Sequence, residues 1–209
     1  EPGEPLETLD HVLRELDAAD LVIADDSRAL ALAGTMGGLN SEIADGSSNI
    51  VIEAAHFDPV TVAKMSRRHK LSSEASRRFE RGVDREVAPY ASGMAAALLV
   101  ELTGARNVGL VAEEIPVDSR AITMAGNYPA RVAGMDIPID KVIGDLELVG
   151  CTVTADPGGH DGQTLRVVAP SWRPDLTDPA DLAEEVIRII GYDQIPSRLP
   201  RGHAGRGLT

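Results

Sequence analysis

The chain has 209 residues, 43% hydrophobic and 25% charged, which is the balance of a soluble globular protein with room for one large domain or two small ones. This composition excludes a disordered tail and a fibrous repeat. The formal charge of −13 would by itself argue against a nucleic-acid partner, because an acidic surface repels polyphosphate.

The chain opens Glu1-Pro2-Gly3 with no initiator methionine, so a piece of something longer is expected. Leu21-Val22-Ile23-Ala24 and Ala29-Leu30-Ala31-Leu32 flank the polar cluster Asp25-Asp26-Ser27-Arg28, which predicts a hairpin. Gly34-Thr35-Met36-Gly37-Gly38 predicts a turn open to close approach by backbone or ligand. Ile50 to Phe57 is rich in β-branched and aromatic residues and predicts a buried strand, with Glu53 inside it. A carboxylate in an apolar strand loses solvation unless it is paired, so Glu53 is a candidate for either a structural or a recognition role.

Asp58-Pro59 predicts a helix start and a helix to about Lys70; Ser72 or Ser73 caps a second through Arg81, stopped by Gly82. Asp84 opens a third, Ala-rich helix ending at Gly104. Residues 61–90 hold eight basic side chains against four acidic ones, a basic island in an acidic chain: Lys64, Arg67, Arg68, Lys70, Arg77, Arg78, Arg81 and Arg85. Most charge runs are no more than solvated helix faces.

A strand is expected around Val108 to Ile115, with a domain boundary at Pro116-Val117-Asp118-Ser119. Pro138 and Asp140 introduce a helix to about Val149 with Val142, Ile143, Leu146 and Val149 on one face. Cys151 is the single cysteine, which excludes an internal disulfide and a cysteine-built metal site; its apolar surroundings suggest an inert buried thiol. Residues 151–155 and 164–169 alternate around Asp156 to Gly162, a hairpin, and Pro179 to Ile190, capped by Asp178 and ended by Gly191, is a last helix. The order helix, helix, hairpin, helix is that of a winged helix.

Neither Cys151 nor any serine lies in a nucleophile elbow, and the five histidines make no pair at metal-ligand spacing. Asp181, Glu184 and Glu185 share one face of the last helix, with Asp175 on the loop before it: four oxygen donors that suit magnesium, or acidic groups that oppose the helix dipole.

Ala33 to Gly38 with Ser41-Glu42, Asn49 to Phe57, Arg67-Arg68-His69 and above all Ser73-Glu74-Ala75-Ser76-Arg77-Arg78-Phe79-Glu80-Arg81-Gly82-Val83-Asp84 resemble the editing module of the bacterial phenylalanine-tRNA ligase beta subunit. Gly150-Cys151, Ala169 to Asp175, Asp181-Leu182, Glu184-Glu185-Val186, Arg188-Ile189, Gly191-Tyr192 and Ile195-Pro196 resemble the winged-helix-like module that follows it. The resemblance implies an α+β fold: a mixed sheet-and-helix editing module at 1–118, a small winged-helix-like α/β module at 119–200 and a tail at 201–209.

It further implies a cytoplasmic enzyme of two alpha and two beta subunits, in which alpha joins phenylalanine to tRNA(Phe) with ATP and magnesium; no membrane partner is expected, because no run approaches about 18 apolar residues, and no DNA partner, because the second module lacks a net basic surface. The beta subunit hydrolyses tyrosine wrongly attached to that tRNA. The family's editing-pocket positions fall on Gly37, Glu53, Ser73 and Ala75, and its magnesium ligands, shared with alpha, on Asp175, Asp181, Glu184 and Glu185; ATP belongs to alpha and not to this stretch. Ser73 stands where the family commonly has threonine, and His69-Lys70-Leu71 replaces its His-Gly-Leu. A histidine upstream of the glycine turn contributes in the family, so this stretch alone is expected to edit poorly. The alternative is a non-catalytic module that docks tRNA and the alpha subunit.

Overall fold

A computed structural model describes residues 1–112, 121–159 and 162–197. The chain forms two compact units, Glu1–Ile115 and Pro116–Thr209, and combines helices with antiparallel sheets in an α+β fold.

The first unit begins with two three-residue strands, β1 (Pro5–Glu7) and β2 (Leu13–Glu15), paired antiparallel with Leu6 opposite Arg14. Arg14 closes the intervening loop by donating two hydrogen bonds to Asp10, each 2.8 Å. The predicted hairpin forms as β3 (Val22–Ala24) and β4 (Ala29–Leu32), and β5 (Met36–Gly37) adds to β4 to give the sheet order β3-β4-β5. Leu6, Leu16, Ala29, Leu32, Met65 and Leu71 make its core.

The strand expected at residues 50–57 does not form. The segment has no regular structure and pairs with no strand among the described residues, and Val51 is 97% exposed. A strand exists through its ladder, so β-branched composition without a pairing neighbour leaves only an irregular segment. The strand expected at 108–115 is likewise absent over residues 108–112, and the rest of it, with the boundary Pro116–Ser119, lies outside the described residues.

Helix α1 (Pro59–Arg68) starts where Asp58 accepts hydrogen bonds from the amide and hydroxyl of Thr61, both 2.7 Å. Helix α2 (Glu74–Glu80) packs against it. Asp84 caps a short 3-10 turn, Arg85–Val87, that leads into α3 (Ala88–Thr103), which Gly104 ends in a left-handed conformation. None of the residues of α3 is buried. The basic island is partly neutralised: His69 meets Asp20 at 2.6 Å, Arg68 pairs with the same carboxylate, and Arg77 pairs with Glu74 at 3.1 Å.

In the second unit β6 (Ile122–Ala125), β7 (Thr152–Gly159) and β8 (Gly162–Val168) form a sheet of order β6-β8-β7. Helices α4 (Tyr128–Ala133), α5 (Ile139–Val149) and α6 (Pro179–Ile190) complete it. Val142, Leu146, Leu165, Val167, Leu182 and Val186 are wholly buried in one cluster, and Ile143 and Val149 pack on it as the helical spacing predicts. Cys151 belongs to that cluster, and burial pushes its thiol pKa up, which keeps the group protonated and inert. Strand β6 and helix α4 were not read in the sequence, where four and six residues carry too little periodicity.

Candidate functional site

The glycine turn, the irregular segment that carries Glu53 and α2 meet at one hollow of about 640 Å³ in the first unit, within the size range of small-molecule sites. Gly37, Glu53 and Ala75 line it, as do Leu9, Phe79 and Val87, and its lining is mostly apolar. Three of the four expected pocket residues therefore come together.

Ser73, the fourth, does not line the hollow. Its hydroxyl donates to the Thr35 carbonyl at 2.7 Å and accepts from the Ser76 amide at 3.0 Å, while the Ser73 amide donates to the Ser76 hydroxyl at 3.0 Å. This capping box starts α2 and fastens it to the glycine turn, so Ser73 positions the wall that carries Ala75.

Glu53 differs from expectation in its surroundings. The residue is exposed, because the segment that carries it has no sheet to enter, and none of the hydrogen bonds or ion pairs among the described residues involves its carboxyl. Partial burial at the edge of the hollow still raises its pKa above the ordinary carboxylate value. Phe57 anchors the same segment against Phe79, with ring centroids 5.1 Å apart.

Gly34 lies beneath both rings with φ +64°, and a Cβ there would come within 3.1 Å of each. Gly38 allows equally close packing: a Cβ would lie 2.5 Å from the Leu30 carbonyl oxygen. The amides of Thr35 and Gly38 donate to the carbonyls of Leu32 and Leu30, at 3.0 and 2.7 Å, so these two donors are committed to the turn. Leu9 and Asp84 are among the lining residues that had no place in the sequence-based site. Leu9 carries no sequence signal, whereas Asp84 closes the same string that contains Ser73 and Ala75.

The acidic group of the second unit is engaged in ion pairs and helix capping. Arg173 donates to Asp175 at 2.8 and 2.6 Å and to Glu185 at 2.8 Å, and Arg188 donates to Glu185 at 2.6 Å. Asp181 accepts from the amides of Thr177 and Asp178, at 2.8 and 3.0 Å, as part of the α6 capping box, and Glu184 meets the Tyr192 hydroxyl at 3.5 Å.

Hydrogen bonds from Arg173 hold the Asp175 pKa below its ordinary value, those from Arg173 and Arg188 do the same for Glu185, and the Thr177 amide leads the lowering at Asp181. No three Asp, Glu, His or Cys side chains converge on a possible ion among the described residues. As placed, the four carboxylates are engaged separately and are not gathered on one point. Arginines bond Asp175 and Glu185 and backbone amides bond one oxygen of Asp181, whereas Glu184 meets only the Tyr192 hydroxyl among the described residues.

Among the described residues no helix is long and apolar enough to cross a membrane. The B3/4 domain model matches residues 1–104 and the tRNA synthetase B5 domain model matches residues 122–192. The chain is 52% identical, over 209 residues and its full length, to the phenylalanine-tRNA ligase beta subunit of Thermobifida fusca, and 53% identical over 213 aligned positions to that of Streptomyces avermitilis. It is 50% identical to the Corynebacterium glutamicum protein over 99% of the chain. It spans 24%, 25% and 24% of the lengths of these relatives. Homologous from end to end to about a quarter of such a subunit, and carrying its B3/4 and B5 domains in order, the chain belongs to the phenylalanine-tRNA ligase beta subunit family.

Proposed function

We propose that the hollow of the first unit is a hydrolytic editing site for tyrosine esterified to tRNA(Phe), in support of phenylalanyl-tRNA formation by an ATP-using alpha subunit. The observation that supports this reading is the meeting of Gly37, Glu53 and Ala75 at one apolar hollow.

An aromatic side chain entering the hollow covers the Glu53 carboxylate and displaces its water. Tyrosine returns a hydrogen bond from its phenol, whereas phenylalanine returns nothing and leaves the charge unpaired. Because Glu53 is exposed when the hollow is empty, discrimination arises on binding and amounts to about 10- to 100-fold, less than a fully buried acceptor gives.

Ala75 and Gly37 keep the hollow open; at Gly37 a Cβ would lie 3.3 Å from Leu9. Ser73 holds α2 in place. Water then adds to the ester carbonyl and the carbon–oxygen bond to the ribose breaks, releasing tyrosine and a free tRNA hydroxyl. The donors that stabilise the oxyanion are groups other than the Thr35 and Gly38 amides, which are already engaged.

A second reading, docking of tRNA and the alpha subunit without catalysis, draws on the exposed cations Lys64, Arg67, Lys70, Arg78 and Arg81 around α1 and α2. Deacylation of Tyr-tRNA(Phe) and Phe-tRNA(Phe) by a complete ligase carrying this stretch separates the two. Glu53→Ala is expected to lose most of the preference for the tyrosyl ester; an unchanged preference supports docking alone. The 209-residue chain by itself is expected to deacylate slowly.

A further inference from the structure

The hollow has a charge pattern that phenol recognition by Glu53 does not explain. Its lining includes two ionisable side chains, Glu53 and Asp84, both acidic, and no cationic one. They belong to different parts of the chain: Glu53 to the irregular segment before α1, Asp84 to the junction between α2 and the 3-10 turn. Asp84 uses Oδ1 to accept the Glu86 amide at 3.0 Å, which leaves its second oxygen with no partner among the described residues.

A mostly apolar hollow with negative charges and no positive one disfavours anions and favours a ligand that brings a cation. An amino acid held through its carboxyl as an ester has lost its own negative charge and keeps its α-ammonium group. Tyrosine in that form carries a hydrogen-bond donor at each end, a phenol and an ammonium, and the hollow offers two acceptors.

We propose that Asp84 is the counter-ion for the α-ammonium group of the ester-linked amino acid, and so a second specificity-determining residue beside Glu53. The assignment rests on the editing reading of the hollow. It makes the hollow selective for a free amino group as well as for a phenol.

The test measures binding of three carboxamides to the 209-residue chain by calorimetry at neutral pH and low salt: tyrosinamide, phenylalaninamide and 3-(4-hydroxyphenyl)propionamide, which lacks the ammonium group. The wild type is expected to bind tyrosinamide about tenfold more tightly than the deaminated amide, as suits a charge-assisted hydrogen bond at a partly exposed carboxylate. Asp84→Asn keeps a side-chain cap for the turn and should erase that gap while retaining the preference for tyrosinamide over phenylalaninamide. Glu53→Gln should show the reverse pattern. Asp84→Ser, also a capping residue, serves if the asparagine variant does not fold.

A wild type with no gap, or a gap unchanged in the Asp84 variants, overturns the role of Asp84 and leaves the editing reading standing. If none of the three amides binds the wild type, the reading of the hollow itself fails, and Asp84 with it.

Discussion

The hydroxyl of Ser73 donates to the backbone carbonyl of Thr35 across 38 residues of sequence, at 2.7 Å, and the same oxygen accepts the Ser76 amide that begins α2. One side chain therefore both starts a helix and fixes its distance from the glycine turn. Ser73→Ala should lower stability by about 1–2 kcal/mol, the combined loss of a cap and a tertiary hydrogen bond. Ser73→Thr, which restores the hydroxyl common in the family, should stay within about 0.5 kcal/mol of wild type. Urea denaturation gives the stabilities, and faster hydrogen exchange at the Ser76 amide in the alanine variant would place the loss at this cap.

The side-chain hydroxyl of Thr35 is buried and has no hydrogen-bond partner among the described residues. Replacing it with a methyl group of similar size removes an unsatisfied polar atom. Thr35→Val should raise stability by about 1 kcal/mol, with the Ser73 bond intact because that bond goes to the Thr35 backbone. A lower urea midpoint in the valine variant would show that the hydroxyl is used after all.

Arg173 holds the loop before α6 to the helix by bonding both Asp175 and Glu185. Both carboxylates have folded-state pKa values below their ordinary ones, so their contribution to stability is fully present above about pH 5 and is lost as the pH falls through 4 and below. Arg173→Met should cost about 2 kcal/mol at pH 7, less than a wholly buried pair because Arg173 keeps some exposure, and should flatten this acid dependence. Trp172 is the chain's one tryptophan, so its fluorescence follows the second unit during unfolding. An equally steep acid transition in the methionine variant would exclude the arginine as its source.

Local chemistry was legible wherever one residue decides it. Asp178-Pro179 and Gly191 bracket α6 as read, and Asp58 and Ser73 cap α1 and α2. What the sequence could not convey was partnership. Residues 50–57 have the composition of a strand, but a ladder needs a neighbour that composition does not name, and the expected burial of Glu53 failed with the strand. Likewise, helical spacing correctly puts Asp181, Glu184 and Glu185 on neighbouring turns, yet Arg173 reaches Glu185 from a loop 12 residues earlier and changes what that carboxylate does. Glu53 stood out as a carboxylate among apolar residues and Gly37 as part of a close-approach turn, but nothing in the spacing of Gly37, Glu53 and Ala75 predicts that they share a hollow.

Helix α3 carries Tyr90, Met94, Leu98 and Leu102 at 69%, 52%, 49% and 77% exposure, an oily ridge that recurs every fourth residue. In concentrated stock such ridges find one another, so the chain's apparent size should grow with concentration. Affinities for the nearby hollow are best taken from dilute samples, where clustering cannot pass for ligand response.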